Sequence, residues 1–189
     1  MLRLVGVSGS LRQGSFNTAL LRAARTAVPS TAELEARTLH GIPLYDADLE
    51  AREGTPPSVA ALKDAIVAAD GLLLVTPEYN HGIPGVFKNG IDWLSRPPSD
   101  AARVFRGRPV ALIGASPGVF GTTLAQAAWL PTLTALGMEF WSGGRLMLAH
   151  ANNAFSEDGT LKDPALQVQL GQFMSGFLAF IERLARRSG

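Results

Sequence analysis

Residues 71–76 read Gly-Leu-Leu-Leu-Val-Thr, a nearly continuous apolar run that carries most of the information about the fold. A strand with one solvated face alternates apolar and polar residues, whereas a strand covered on both faces of a parallel sheet is apolar throughout. Residues 2–8 (LRLVGVS) and 109–115 (PVALIGA) are two further apolar runs with the composition of strands. The three runs are therefore predicted to be strands of one parallel sheet.

Helical segments separate the predicted strands along the chain. Two more strands are predicted at residues 32–39 and 138–149, the second less regular than the others. Apolar residues at helical spacing predict helices over residues 16–28, 58–69, 85–95, 122–136 and 164–187. This alternation predicts an α/β chain with a doubly wound, five-stranded parallel sheet of order 2-1-3-4-5 and helices on both faces. Residues 1–189 are expected to form a single domain.

Local signals predict how some of these segments begin and end. A loop that contains glycine, proline and aspartate is predicted up to about residue 57. Ser58 is a predicted N-cap of the helix that follows, because a serine hydroxyl accepts a hydrogen bond from the first free amides of a helix. Gly137 is expected just after the helix over 122–136, where glycine adopts the left-handed backbone that ends many helices.

Three loops of unusual composition follow the first, third and fourth predicted strands. Loop 1 covers residues 8–17, loop 2 covers residues 76–83 and loop 3 covers residues 116–121. In a sheet of order 2-1-3-4-5 the winding reverses between strands 1 and 3, and ligands bind in the crevice outside the carboxyl ends of those strands. The loops are therefore predicted to converge on one binding crevice.

Loop 1 has the composition of an anion-binding turn. It leads from a strand into a helix, and the N-terminus of a helix offers free amides and the positive end of its dipole. Neither G-x-G-x-x-G nor the P-loop pattern occurs, which disfavours a Rossmann dinucleotide site and a P-loop nucleotide site. A plain strand-to-helix turn capped by Ser15 is the alternative. The polar side chains that could contact an anion are those of Ser10, Arg12, Ser15 and Asn17.

Loop 3 follows a strand, and residues 114–118 match the G-x-S-x-G pattern of α/β-hydrolases. Glu139 and His150 follow along the chain in the order in which these hydrolases place the acid and the histidine of their catalytic triad. The residue after the nucleophile must supply an oxyanion-hole amide, and here that residue is Pro117, which has no N–H. The hydrolase interpretation is therefore disfavoured. As a ligand loop, it is predicted to offer free backbone amides at Gly118, Phe120 and Gly121.

Composition and charge exclude several other classes. Apolar residues make up 47% and charged residues 17%, which excludes a disordered chain. The net charge of +1 gives no basic surface for nucleic acid. The three histidines lack metal-ligand spacing, and the chain has no cysteine, so no metal site is predicted. No apolar run approaches the length of a membrane span, and no signal peptide is recognisable. The absence of cysteine fits a cytoplasmic location, which is the expectation.

Three segments together resemble one known family. They are GSLRQGSFN at 9–17, PEYNHGIPGVFKNGIDWLS at 77–95 and ASPGVFG at 115–121. The chain is similar to the NADPH-dependent FMN reductases, which include bacterial quinone, azo-dye and chromate reductases. The resemblance covers essentially the whole chain. It implies a flavodoxin-like fold, noncovalently bound FMN, and homodimers or homotetramers.

The resemblance also implies roles for individual residues. It places the FMN phosphate on Ser10, Arg12, Ser15 and Asn17. It places the isoalloxazine ring along a shelf formed by Pro77, Glu78, Tyr79 and Asn80. It places Ser116, Gly118 and Gly121 over the pyrimidine side of that ring. His81 lies where the family pattern varies. The helix after the shelf carries Lys88, Asn89, Asp92 and Trp93. These side chains are expected to pack that helix and a subunit interface.

The chemistry implied by the resemblance belongs mainly to the cofactor. NADPH or NADH gives a hydride to FMN, and two electrons then pass to a small-molecule acceptor in the same slot, which implies ping-pong kinetics. No residue is predicted to act as a catalytic acid or base. The alternatives are a flavodoxin-type electron carrier, which is usually strongly acidic, and an interaction module that has lost its cofactor. A second subunit is expected to complete the slot, with Trp93, Phe120 and Trp129 as predicted interface aromatics.

Overall fold

A parallel sheet forms the centre of the protein. The computed structural model of the chain describes residues 1–188. Within them the strands are β1 (Leu2–Ser8), β2 (Ala32–Arg37), β3 (Gly71–Val75), β4 (Pro109–Ala115), β5 (Glu139–Phe140) and β6 (Leu146–Leu148). The strand order is β2-β1-β3-β4-β5, every pairing is parallel, and β6 also pairs with β4. The predicted order is confirmed.

Helices cover both faces of the sheet. They are α1 (Phe16–Ala27), α2 (Ala47–Glu53), α3 (Pro57–Val67), α4 (Gly85–Leu94), α5 (Pro98–Phe105), α6 (Thr123–Ala135), α7 (Ala151–Ala154) and α8 (Pro164–Ser188). One apolar cluster packs α1 and α8 against the sheet, and a second packs α3, α4 and α6 against the opposite face. All five residues of β3 are buried, as its continuous apolar sequence predicts. The predicted flavodoxin-like α/β architecture is therefore confirmed.

The last predicted strand differs from the structure. Residues 138–149 form two short strands, β5 and β6, with a break between them. The break wraps around the indole of Trp141, whose ring centroid lies 4.8 Å from that of Phe173. A methyl group at Gly143 would lie 2.5 Å from the indole nitrogen of Trp141, so only glycine permits this close approach.

Three helices were missed, namely α2, α5 and the four-residue α7, because each is short and buries at most two of its residues. Helix α2 lies inside the predicted loop and buries none of its residues, and α5 buries only Val104 and Phe105 at its end. The N-cap prediction for Ser58 was wrong, since α3 begins at Pro57 and the Ser58 hydroxyl donates to the carbonyl of Gly41 (2.8 Å). Proline takes the first helical position because its φ suits a helix and its missing amide is not needed there.

The end of α6 follows the sequence prediction. The helix ends at Ala135, Leu136 is its C-cap, and Gly137 follows with a φ of +69°. Glycine adopts this left-handed conformation without the steric cost that a side chain brings. The Gly137 prediction is confirmed.

Helix α4 is held to the segment before α2 by polar side chains. Asn89 donates from its amide nitrogen to the Pro43 carbonyl (2.8 Å) and accepts from the Tyr45 amide (2.8 Å). The Trp93 indole also donates to the Pro43 carbonyl (2.9 Å), and its side chain is fully buried. Burial raises the pKa of the Tyr45 phenol, and its hydrogen bond to Glu50 raises it further. Asn89 and Trp93 therefore pack α4 within one chain, and Trp93 as an interface aromatic was a wrong prediction.

Candidate functional site

The structure brings the three predicted loops side by side at the carboxyl edge of the sheet. The Gly9 amide donates to the carbonyl of Val75 (2.9 Å), which ties loop 1 to the end of β3. The Thr76 amide donates to the carbonyl of Ile113 (2.8 Å), which ties loop 2 to β4. A methyl group at Gly114 would lie 2.2 Å from the Thr76 carbonyl oxygen, so loops 2 and 3 leave their strands in close contact.

Loop 1 ends in a capped helix and presents free amides. The Ser15 hydroxyl accepts from the amides of the second and third residues of α1 (3.2 and 3.4 Å), so Ser15 is its N-cap. Ser10 is buried, and its hydroxyl oxygen accepts from the Arg12 amide (3.3 Å). Within residues 1–188, the amides of Gln13 and Gly14 have no hydrogen-bond acceptor. Free amides before a helix N-terminus form a site for an anion.

Arg12 is the one cation of loop 1, and its side chain is exposed. Its guanidinium carbon lies 5.4 Å from the ring centroid of Phe16. No carboxylate of the described residues lies within ion-pair distance of it. An uncompensated guanidinium beside free amides is suited to a phosphate, which it can bind through two parallel hydrogen bonds.

Asn17 is directed away from the exposed donors of loop 1. Its amide nitrogen donates to the Ala115 carbonyl (2.8 Å), and its amide oxygen accepts from the Ala115 amide (2.9 Å). Only 3% of the residue is exposed. The structure thus shows Asn17 joining α1 to the last residue of β4, which holds loops 1 and 3 at a fixed separation.

Loop 2 is a tight hairpin. Tyr79 and Gly82 exchange two backbone hydrogen bonds (3.2 and 3.0 Å) around a two-residue turn. The two central residues, Asn80 and His81, both have positive φ values, +50° and +61°. This is the geometry of a type I′ turn, which asparagine tolerates better than histidine. Tyr79 and Asn80 are consequently exposed at the edge of the crevice.

Glu78 belongs to loop 2 but its carboxylate caps α6. Its Oε2 accepts from the amides of Leu124 and Ala125, both at 2.9 Å. Its Oε1 lies 3.5 Å from Nδ1 of His81, and only 8% of its side chain is exposed. Thr122, the N-cap of α6, makes no side-chain capping bond. Glu78 therefore replaces a local cap and binds loop 2 to the helix that follows loop 3.

Replacement of Glu78 by glutamine is expected to lower the free energy of unfolding by about 1–2 kcal/mol, because a charged acceptor at a helix N-terminus becomes neutral. Chemical denaturation at neutral pH measures the change. Glu139→Gln is the matched control, since Glu139 is exposed in β5 and makes no ion pair among the described residues. Equal stabilities of the two variants would contradict the capping role.

Loop 3 is held against the end of β6. The Ser116 hydroxyl accepts from the Gly118 amide (3.2 Å), and the Gly118 carbonyl accepts from the amides of Gly121 (3.4 Å) and His150 (3.3 Å). The prediction that Gly118 and Gly121 offer free amides was therefore wrong, because the loop closes on itself. Among residues 1–188, the Phe120 amide is without an acceptor, as predicted.

The hydrolase alternative finds no support in the geometry. No hydrogen bond within the described part of the chain joins Ser116 to His150 or His150 to Glu139. The Ser116 hydroxyl instead accepts from the Gly118 amide, and Pro117 supplies no oxyanion donor. Nor do residues 1–188 contain a group of three histidine, aspartate or glutamate side chains close enough to hold a metal ion.

Exposed apolar residues of loops 2 and 3 form an apolar rim beside the crevice. Half or more of the residue surface is exposed at Tyr79 (50%), Val119 (65%) and Phe120 (68%). A cavity of about 460 Å³ lies elsewhere, between α1, residues 158–161 and the start of α8. Trp129 does not join the rim, because it is fully buried and its indole donates to the Thr76 hydroxyl (3.2 Å). Of the predicted interface aromatics, only Phe120 is exposed.

Comparison with known proteins identifies the family. The family model of the NADPH-dependent FMN reductases matches residues 2–153. The chain belongs to this family. It is 41% identical to an NAD(P)H-dependent FMN reductase of Pseudomonas aeruginosa over 183 residues, 97% of either chain. It is 34% identical to a 2-hydroxy-1,4-benzoquinone reductase of a Burkholderia species, over 95% of this chain and 96% of the relative.

A solved structure gives the same result. FerB, a flavoenzyme NAD(P)H:(acceptor) oxidoreductase from Paracoccus denitrificans, superposes with a TM-score of 0.84 at 35% identity, over 97% of this chain and 98% of that one. The chain is therefore an oxidoreductase that uses FMN and a nicotinamide donor, which confirms what the sequence resemblance implied. No helix among residues 1–188 combines the length and the apolar character that a membrane span requires.

Proposed function

We propose that the crevice formed by loops 1, 2 and 3 holds FMN noncovalently, with the phosphate on loop 1. The observation that carries this proposal is the uncompensated guanidinium of Arg12 beside the free amides of loop 1, at the N-terminus of α1. The dipole of α1 adds to the attraction for a dianionic phosphate. Ser10 and Ser15 supply hydroxyls, and Asn17 holds this loop at the correct distance from loop 3.

Loops 2 and 3 are proposed to hold the ring system. Tyr79 and Asn80, with Pro77 behind them, form the shelf along one side of the isoalloxazine. Loop 3, shaped by Ser116, Gly118 and Gly121, closes on the pyrimidine side, where the free amide of Phe120 stabilises negative charge on the reduced ring. Glu78 contributes by holding the two loops together and not by contact with the ring.

The reaction we propose is NAD(P)H-dependent reduction of quinones or similar small acceptors. Bound FMN supplies the hydride and electron transfer, and the residues of the chain bind and orient it. The names of the relatives support quinones as acceptors. We propose that the nicotinamide and the acceptor occupy the same space beside the ring in turn, which gives a ping-pong mechanism.

Steady-state kinetics test this mechanism. With benzoquinone as acceptor and NADPH or NADH as donor, double-reciprocal plots at several donor concentrations should give parallel lines. Intersecting lines would contradict a mechanism in which donor and acceptor occupy one slot in turn.

We further propose that a second copy of the chain completes the slot. No charged residue lies between Arg108 and Glu139, a stretch that includes the exposed side chains of Phe120, Leu124 and Leu130. An exposed helix face without charge, continuous with the apolar rim, is typical of a protein interface. A partner on this face would cover the ring and exclude water from it.

Charge placed on this face should separate the copies. Leu130→Glu is expected to sediment as a monomer with weakened FMN binding, whereas the parent sediments as a dimer or tetramer. Val168→Glu is the matched control, because Val168 is an exposed apolar residue on α8. A strictly monomeric parent with full activity would contradict the shared slot.

A further inference from the structure

We propose that Phe16 and Phe155 are positioning residues that hold the guanidinium of Arg12 over loop 1 for the FMN phosphate. This inference rests on the proposed FMN site. The three side chains form one stack, with the guanidinium carbon 5.4 Å from the Phe16 ring centroid. The Phe16 and Phe155 centroids lie 6.0 Å apart with an interplanar angle of 17°. A cation over an aromatic face is attracted by the negative charge of the ring's π-system.

Arg12 needs such support because its guanidinium makes no hydrogen bond or ion pair with any residue in the described part of the chain. Its side chain is exposed, and no carboxylate of the described residues pairs with it. An arginine free to sample many rotamers must be immobilised when phosphate binds, and that loss of entropy weakens binding. The stack selects conformers in which the guanidinium of Arg12 lies next to Gly14. A methyl group added at Gly14 would lie 3.4 Å from Nη1 of Arg12. Arg12 is thus already located beside the free amides of loop 1.

Phe155 makes the stack rigid because its own segment is fixed. Only 5% of Phe155 is exposed, and its backbone forms an isolated antiparallel bridge with Leu161. Both residues belong to the apolar cluster that packs α1 and α8 against the sheet. The Lys162 amide donates to the Ala154 carbonyl (2.9 Å), which closes the same hairpin. Phe16 at the start of α1 therefore packs on a fixed aromatic surface.

Phe155 lies outside the three loops and outside residues 2–153, which the family model matches. Phe155 contacts Phe16, and Phe16 in turn contacts Arg12. Replacement of Phe155 should therefore affect FMN binding only through the contact between Arg12 and the phosphate. Riboflavin has the same ring and sugar chain without the phosphate. The ratio of the FMN affinity to the riboflavin affinity therefore isolates the contribution of Arg12 from that of the ring site.

The test is titration of the flavin-free protein with FMN and with riboflavin in Phe16→Leu and Phe155→Leu. The ratio of the two affinities is expected to fall about threefold to tenfold in each variant, the scale of a lost cation–π contact, while riboflavin binding stays within about twofold. Phe180→Leu is the matched control, since Phe180 carries a similar contact with Arg183 (6.0 Å) on α8. Partial unfolding lowers both affinities equally and leaves the ratio unchanged.

A double-mutant cycle completes the test. In an Arg12→Ala background, Phe155→Leu should change the ratio no further, because the guanidinium that it positions is gone. If the parent prefers FMN but Phe16→Leu and Phe155→Leu both keep its ratio, the positioning role is overturned while the FMN site stands. If the parent binds FMN no better than riboflavin, the phosphate site and this inference both fail.

Discussion

Replacement of Gly114 by alanine is expected to lower the free energy of unfolding by about 3 kcal/mol, the upper end of the usual cost of overpacking. The added methyl group would lie 2.2 Å from the Thr76 carbonyl oxygen and 2.4 Å from the Thr122 hydroxyl. One of these partners is backbone, so the strand end must move. Thr76 begins loop 2 and Thr122 follows loop 3. The variant should therefore bind FMN more weakly as well as being less stable. Urea denaturation and FMN titration measure the two effects.

Gly171→Ala is the control for this change. Gly171 lies within α8, and no described atom outside its own helix lies within 4 Å of an added methyl group. Alanine should stabilise the protein there by about 0.5–1 kcal/mol, because glycine is the poorer helix former. A Gly114→Ala protein as stable as the parent would contradict the close packing of Gly114 against Thr76 and Thr122.

The second large effect is expected at Arg12. Arg12→Ala should weaken FMN binding by about 1.5–3 kcal/mol, the scale of a hydrogen bond to a charged group. Riboflavin should bind the variant and the parent similarly, because it has no phosphate to lose. The difference between the two ligands should shrink as salt is added, since the contact is exposed. Titration with each ligand at low and high ionic strength measures it.

Arg22→Ala provides the matched control for Arg12. Arg22 is also an exposed arginine, it lies on α1, and it pairs with no carboxylate among the described residues. Its removal changes the net charge by the same amount and should leave the FMN-to-riboflavin ratio unchanged. Equal losses for FMN and riboflavin in Arg12→Ala would mean that Arg12 acts through the stability of loop 1.

The sheet could be predicted because burial leaves a direct trace in the sequence. The strands β1, β3 and β4 are apolar runs, and their order follows from the alternation with amphipathic helices. The break between β5 and β6 could not be predicted, because it depends on Gly143 and Gly144 packing around Trp141. Helix α2 leaves no periodic signal, since none of its residues is buried. What the pattern misses are elements stabilised by caps and by single contacts.

The convergence of the three loops could also be predicted, but not the direction of their side chains. Residue types and strand ends identified the three loops and the N-cap at Ser15. Glu78 and Asn17 were predicted to contact FMN, whereas the structure directs them to the N-terminus of α6 and to Ala115. Those partners lie 46 and 98 residues away in sequence. Such contacts depend on the tertiary fold, which no local pattern encodes.

The most direct test of the proposed activity is a pair of half-reactions without oxygen. Protein loaded with one equivalent of FMN is mixed with one equivalent of NADPH or NADH, and the absorbance of oxidised flavin is followed. We predict that at least one donor bleaches the flavin completely when no acceptor is present. One equivalent of benzoquinone should then restore the absorbance, with one equivalent of hydroquinone formed. A bound flavin that neither nicotinamide reduces would contradict the account.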